Sequence, residues 1–186
     1  MDPKIVGVTG VAGVGKSTAL ASISDTFSYQ LIRASQAIAI RMGDDPDRLG
    51  IGEELRIGDI LDNQRQLVEG FKALRNPTKS CVLFDCHTII DTDLGLEEIP
   101  SSVFSTIGIH ALLVLIDNPD EIVKRRDNDA VRSRPYRTAE QLQAYQDKVI
   151  ERSAGVALDL GITLTVLPFQ KIIEIDAVLS SVVKAI

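Results

Sequence analysis

A glycine-rich segment near the start of the chain, VTGVAGVGKSTAL at 8–20, constrains the fold more than any other feature. Gly10, Gly15, Lys16 and Ser17 match the pattern G-x-x-x-x-G-K-[ST], in which glycines let backbone N–H groups turn toward phosphate oxygens. An apolar run precedes the segment and a helical pattern follows it, so the helix adds the positive end of its dipole. The segment therefore predicts a loop that binds nucleotide phosphates.

The chemistry of this motif predicts a role for individual residues of the loop. The Lys16 ammonium is predicted to bridge the outer phosphates as a binding and catalytic group, and the Ser17 hydroxyl is predicted to ligate Mg²⁺. Contacts with the ATP phosphates are predicted for Gly10, Gly13, Val14, Gly15, Lys16, Ser17 and Thr18.

A second candidate group follows the apolar run CVLF, where Asp85 stands at the end of a predicted strand. Ligands of doubly wound sheets bind outside the carboxyl ends of the strands, so Asp85 is a predicted magnesium ligand, directly or through water. The alternative is a carboxylate that caps a helix or turn. His87, two residues on, is predicted to point the same way and to contact acceptor or nucleotide, with helix capping as its alternative. No chemical role is predicted for His110.

Five short apolar runs alternate with helical patterns along the chain, and this order predicts an α/β fold. Most runs are continuously apolar, which is typical of strands covered on both faces. We therefore expect a five-stranded parallel sheet with helices on both faces, within a single domain spanning 1–186. Two regions interrupt the alternation, an acceptor-binding helical insertion at about 34–75 and a lid at about 125–140. The predicted strands lie within 4–10, 29–34, 81–86, 111–117 and 162–167.

Composition narrows the class of protein. A net charge of −6 and an aromatic content of 4% argue against a nucleic-acid partner. No apolar run is long enough for a membrane span and no secretory signal is recognisable, so a cytoplasmic protein without a membrane partner is expected. The two cysteines, Cys81 and Cys86, stand an odd number of positions apart. Alternation places them on opposite faces of a strand, as buried thiols rather than a disulfide.

An arginine-rich segment at 125–137 indicates what the nucleotide is used for. Guanidinium groups clamp phosphate oxygens and offset the charge of a phosphoryl group in transfer, and a lid that carries them excludes water. The alternative is a solvated helix end in which Asp127 and Asp129 neutralise the arginines. No Asn-Lys-x-Asp element for guanine is present, so phosphoryl transfer to a small acceptor is favoured over a GTP switch. The arginines are Arg125, Arg126, Arg132, Arg134 and Arg137.

These motifs together resemble the archaeal-type adenylate kinases, a branch of the nucleoside monophosphate kinases. The resemblance runs over nearly the whole chain, through the glycine-rich loop, an Asp-x-His-x-x-Ile strand end and an Arg-Arg-x-Asn-Asp-x-x-Arg-x-Arg lid. It implies Mg²⁺-dependent conversion of ATP and AMP into two ADP, with Arg126, Arg132 and Arg134 as catalytic groups. Arg152 falls where the family has a basic residue in the helix after the lid. The resemblance alone also implies a homo-oligomer, namely a trimer.

The acceptor is predicted to bind through Arg56, Arg65 and His87, since the two arginines match basic positions of the family at the same separation. They are nine residues apart and lie on different faces of an unbroken helix, so both reach one phosphate only if the helix breaks near Gly58. Two other functions stay open: a kinase for another nucleotide, a nucleoside or another small acceptor, and a regulatory protein that hydrolyses ATP slowly.

Overall fold

The computed structural model describes residues 2–23, 28–45, 60–92, 95–129 and 135–185. The strands are β1 (Lys4–Thr9), β2 (Tyr29–Arg33), β3 (Cys81–Asp85), β4 (Ile89–Thr92), β5 (Gly95–Glu98), β6 (Ala111–Ile116) and β7 (Thr163–Pro168). The α-helices are α1 (Lys16–Ala21), α2 (Ala34–Met42), α3 (Ile60–Leu74), α4 (Ser101–Ile107), α5 (Pro119–Asp127), α6 (Ala139–Leu160) and α7 (Ile175–Ala185). A 3₁₀ helix, Phe169–Glu174, joins β7 to α7.

The predicted sheet is confirmed. Five parallel strands lie in the order β2-β3-β1-β6-β7, and each corresponds to one of the five apolar runs. β1 stands at the centre, with β3 on one side and β6 on the other. The loop after β1 is therefore flanked by the carboxyl ends of both neighbours, which brings Asp85 and Asp117 to the same edge of the sheet as that loop.

Both faces of the three central strands β1, β3 and β6 are buried, which explains why these strands are apolar without alternation. On β1, Val6 and Val8 belong to one hydrophobic cluster while Ile5 belongs to the cluster on the opposite face. The two cysteines divide in the same way, Cys81 in the first cluster and Cys86 in the second, and both are free buried thiols as predicted. Burial raises the pKa of Cys81 to about 11, and burial together with the Asp85 carboxylate raises the pKa of Cys86.

The boundaries of two helices follow local capping signals in the sequence. The Asn118 side chain accepts a hydrogen bond of 2.8 Å from Asp120 N before Pro119 opens α5. Thr138 and Gln141 form the capping box of α6. That helix ends at Gly161, whose φ of 64° lies in the left-handed region. The range expected for a lid thus begins on the last turn of α5 and ends on the first turn of α6.

An antiparallel hairpin of β4 and β5 is absent from the predicted fold. Its pairs run from Ile89↔Glu98 to Thr92↔Gly95. Each strand has four residues, and the second, GLEE, carries two acidic residues that are uncommon in strands. The hairpin follows β3 directly and places Asp91, which is 2% exposed, inside the protein. Among the described residues, no helix combines the length and the apolar character that a membrane span requires.

Candidate nucleotide-phosphate site

The phosphate loop (10–18) joins β1 to α1 and has the backbone that its glycines permit. Gly15 caps α1 in the left-handed region with a φ of 103°, a conformation that side chains other than hydrogen disfavour. A Cβ at Gly15 would also lie 2.3 Å from the Phe169 ring, and one at Gly10 would lie 2.7 Å from the Leu115 carbonyl oxygen. The loop is thus closely packed between β6 and the 3₁₀ helix, with no room for larger residues at these two positions.

Lys16 is the first residue of α1 and is only 9% exposed. Its Nζ lies 3.5 Å from the Gly10 carbonyl oxygen, 3.4 Å from His87 Nε2 and 3.8 Å from Asp85 Oδ1. A buried ammonium is costly unless polar partners surround it, and these three groups converge on it from the loop and from the end of β3. The structure therefore brings together the predicted phosphate lysine, the predicted magnesium carboxylate and the predicted acceptor histidine.

The oxygens of Ser17 and Asp85 fit a Mg²⁺ ion by their chemistry. Mg²⁺ prefers hard oxygen ligands and is usually held by one or two protein groups together with phosphates and water. Ser17 is exposed on the first turn of α1. Asp85 is the last residue of β3, and its Cα partner on β1 is Val8. No cluster of three or more His, Cys, Asp or Glu residues suited to a metal occurs in the described ranges.

The two histidines differ in their surroundings. His87 is partly buried and lies against Lys16, as described above. His110 instead joins the start of β6 to β1: its Nδ1 accepts a hydrogen bond of 3.1 Å from Ile5 N, and its backbone N donates to Ile5 O at 2.8 Å. Burial and the positive charges of Lys4 and Arg75 lower the pKa of His110. These contacts connect β6 to β1.

Arg125 contacts the phosphate loop from α5. Its Nε donates to the Gly13 carbonyl oxygen at 3.1 Å, its Nη2 bonds to Asp117, and its Cζ lies 4.7 Å from the centre of the Phe169 ring. Asp117 also accepts from the Gln170 amide and is buried directly after β6. Sequence reasoning missed Asp117, although it follows an apolar strand just as Asp85 does. Arg125 is thus anchored beside the loop within the described structure.

Arg126 and Arg137 meet at Asp91, which sequence reasoning also missed. Arg137 Nη2 donates to Asp91 Oδ1 at 2.8 Å, and Arg126 Nη2 lies 3.7 Å from Asp91 Oδ2. Asp127 and Asp129, the predicted alternative partners, are neighbours in sequence, whereas Asp91 comes from the hairpin. No local pattern in the sequence announces this contact.

The remaining predicted residues are more dispersed. Arg65 lies on α3 with its side chain 70% exposed and pairs with Asp62 at 2.8 Å. Arg152 on α6 donates to the Ile99 carbonyl oxygen at 3.2 Å through Nε and at 2.6 Å through Nη2, so it braces the end of the hairpin. Three predicted residues lie outside the described residues: Arg56, Arg132 and Arg134.

A phosphate loop at the central strand of a five-stranded parallel sheet defines a nucleotide-binding α/β domain. The protein-family model described as an AAA domain matches residues 9–143. Adenylate kinase of Thermococcus sibiricus is 29% identical over 161 residues, covering 83% of this chain and 80% of the relative. Adenylate kinase of Pyrococcus horikoshii is 30% identical over 167 residues, covering 83% and 79%.

The fold has a counterpart among solved structures. Shikimate kinase from Bacteroides thetaiotaomicron superimposes with a TM-score of 0.59 at 12% identity, covering 97% of this chain and 98% of that one. At this identity the likeness concerns the fold alone. The chain belongs to the AAA domain family described above and to the family of the archaeal-type adenylate kinases. It is a phosphotransferase.

Proposed function

We propose that the protein is a nucleoside monophosphate kinase that transfers the terminal phosphoryl group of ATP to AMP and so produces two molecules of ADP. The observation that carries the proposal is the convergence of Asp85 and His87 on the buried Lys16 ammonium at the phosphate loop. The adenylate kinases among its relatives support AMP as the acceptor. A phosphoryl oxygen of AMP attacks the γ-phosphorus, and the bond to the ADP oxygen breaks.

No protein nucleophile or strong base is required, because the phosphate of AMP is already ionised at neutral pH. The residues of this chain act by alignment and by neutralising charge. Loop N–H groups and Lys16 bind the transferred group, and Arg126, Arg132 and Arg134 are proposed to stabilise the charge that builds on it. Mg²⁺, held by Ser17 and Asp85, would supply further neutralisation of the phosphates. We propose a cytoplasmic enzyme without nucleic-acid or membrane partners.

A panel of acceptors tests this proposal directly. ATP consumption is measured with each nucleoside and each nucleoside monophosphate, and the products are separated. We expect AMP to stimulate turnover most strongly and two ADP to form for each ATP consumed. Stimulation of ATP consumption by a different nucleotide or by a nucleoside would favour a kinase for that acceptor instead. Acceptor-independent release of inorganic phosphate as the sole reaction would contradict the proposal and favour a slow ATPase.

The proposed acceptor arginines are tested by comparing Arg56→Ala with Arg65→Ala. Loss of a charged hydrogen bond to a phosphate costs about 1.5–3 kcal/mol, so Arg56→Ala is expected to raise KM for AMP by about tenfold to a hundredfold. The KM for ATP should change by less than about twofold. Arg65 is exposed and already paired with Asp62, so its substitution should raise KM for AMP less. An equal rise in both KM values for Arg56→Ala would remove it from the acceptor site.

A further inference from the structure

The hairpin carries a buried carboxylate that the reaction scheme above leaves unused. The Asp91 side chain is 1% exposed, and its two oxygens face two different arginines. Oδ1 accepts from Arg137 Nη2 at 2.8 Å. Oδ2 lies 3.7 Å from Arg126 Nη2 and has no hydrogen-bond partner among the described residues. A carboxylate this deeply buried requires charged partners, and both of them come from the arginine-rich segment.

The two arginines lie on either side of residues 130–134. Arg126 is on the last turn of α5, and Arg137 stands just before the capping box of α6. Arg126 Nη2 also donates to the Pro135 carbonyl oxygen at 2.7 Å. Asp91 and Arg126 therefore tie the chain that enters this segment to the chain that leaves it.

The same cluster reaches the phosphate loop. A Cβ added to Gly13 would lie 2.7 Å from Arg126 Cγ, so the aliphatic part of that arginine packs directly on the loop backbone. The Arg126 side chain is only 7% exposed. Its position is thus fixed by the loop at its stem and by Asp91 and Pro135 at its guanidinium.

One carboxylate contacts both guanidinium groups of the cluster. Charge-assisted hydrogen bonds are short and directional, so a carboxylate between two arginines sets the orientation of both.

We propose that Asp91 is a positioning residue for phosphoryl transfer, which holds Arg126 and Arg137 in place beside the phosphate loop before the nucleotide binds. The proposal rests on the proposed function. Arginines oriented in advance need no reorganisation when charge develops on the transferred group. Loss of this kind of alignment lowers the rate of the chemical step by about a hundredfold. Asp91 itself does not touch the reacting atoms.

The test is Asp91→Asn, which keeps the shape of the side chain and removes its charge. We expect kcat per folded molecule to fall about tenfold to a hundredfold while KM for ATP stays within about twofold or decreases, since a negative charge near the phosphates is lost. A merely structural ion pair would lower the unfolding temperature and leave both kinetic constants of the folded protein unchanged. Glu121→Gln removes the exposed carboxylate partner of Lys124 on α5 and serves as the matched control. Neither kcat nor KM for ATP is expected to change in this variant.

Arg137→Gln removes the other charge of the Asp91–Arg137 pair, at its more exposed member. This second variant keeps the proposal testable if Asp91→Asn does not fold. It should lower kcat as well, and the double variant should be no slower than Asp91→Asn by more than about twofold, because both act through one contact. Unchanged kcat in Arg137→Gln and in any folded Asp91→Asn would overturn the proposal. If hydrolysis of ATP is the only reaction of the wild-type protein and no acceptor stimulates it, the proposed function fails, and the fall in kcat for that hydrolysis still tests Asp91.

Discussion

Lys16→Met is expected to lower kcat for phosphoryl transfer by about two to three orders of magnitude. The ammonium lies at the phosphate loop, 3.5 Å from the Gly10 carbonyl oxygen and 3.8 Å from Asp85. Methionine retains most of the buried aliphatic length, so the packing under the loop is preserved. What is lost is positive charge at the position where negative charge develops during transfer.

The fold should survive this change. Asp85 loses a partner at 3.8 Å, but its side chain is 14% exposed and water can solvate part of it. We expect the free energy of unfolding to change by about 1 kcal/mol. Lys124→Met is the matched control, because Lys124 is 66% exposed on α5 and pairs with Glu121 at the surface. Steady-state kinetics and urea unfolding of both variants provide the measurement, and near wild-type kcat in Lys16→Met would refute the assignment of the site.

The elements that the sequence predicts well are those with local physical causes. A strand buried on both faces must be apolar throughout, and this is why β1, β3 and β6 were recognisable as continuous runs. A helix capped by Thr138 must satisfy its first N–H groups, and the capping box of Thr138 and Gln141 does so within four residues. The phosphate loop is local in the same sense, since Gly15 is required by its own backbone conformation.

The contacts that sequence reasoning missed are those that the topology creates. Arg137 and Asp91 are 46 positions apart, and only the path of the chain from the hairpin to α6 brings them together. Sequence proximity favoured Asp127 and Asp129 as partners of the arginines instead. Asp117 was open to prediction, because it follows β6 as Asp85 follows β3, but its arginine partner depends on the direction in which α5 leaves the sheet.

The hairpin of β4 and β5 was absent from the predicted fold for a different reason. Its strands are too short to show a periodicity, and their pairing is stabilised by neighbours rather than by propensity. Arg152 hydrogen-bonds to the carbonyl oxygen of Ile99, just past the end of β5, from the middle of α6. Arg152 also donates to Ser101 Oγ at 3.2 Å, so it contacts both the hairpin and the start of α4.

Gly70→Ala is expected to lower the free energy of unfolding by about 3 kcal/mol. Gly70 lies on α3 where it crosses α2. A Cβ there would lie 1.8 Å from the Ala37 carbonyl oxygen and 2.6 Å from its carbonyl carbon. Both atoms belong to the backbone, so no side chain can move aside and the two helices must separate. Because they belong to the region predicted to bind the acceptor, KM for AMP should rise more than KM for ATP.

Gly155→Ala provides the matched control, because Gly155 also lies inside a helix, α6, but has room for a Cβ. The nearest atom to its added Cβ is Arg152 Nη1 at 3.7 Å, an ordinary contact. Here the substitution only removes the conformational freedom of glycine in the unfolded chain, so we expect a gain of about 0.5–1 kcal/mol. Urea unfolding of the two variants measures both changes. Opposite signs are expected, and a destabilisation by Gly155→Ala as large as that by Gly70→Ala would show that helix packing at Gly70 is not the cause.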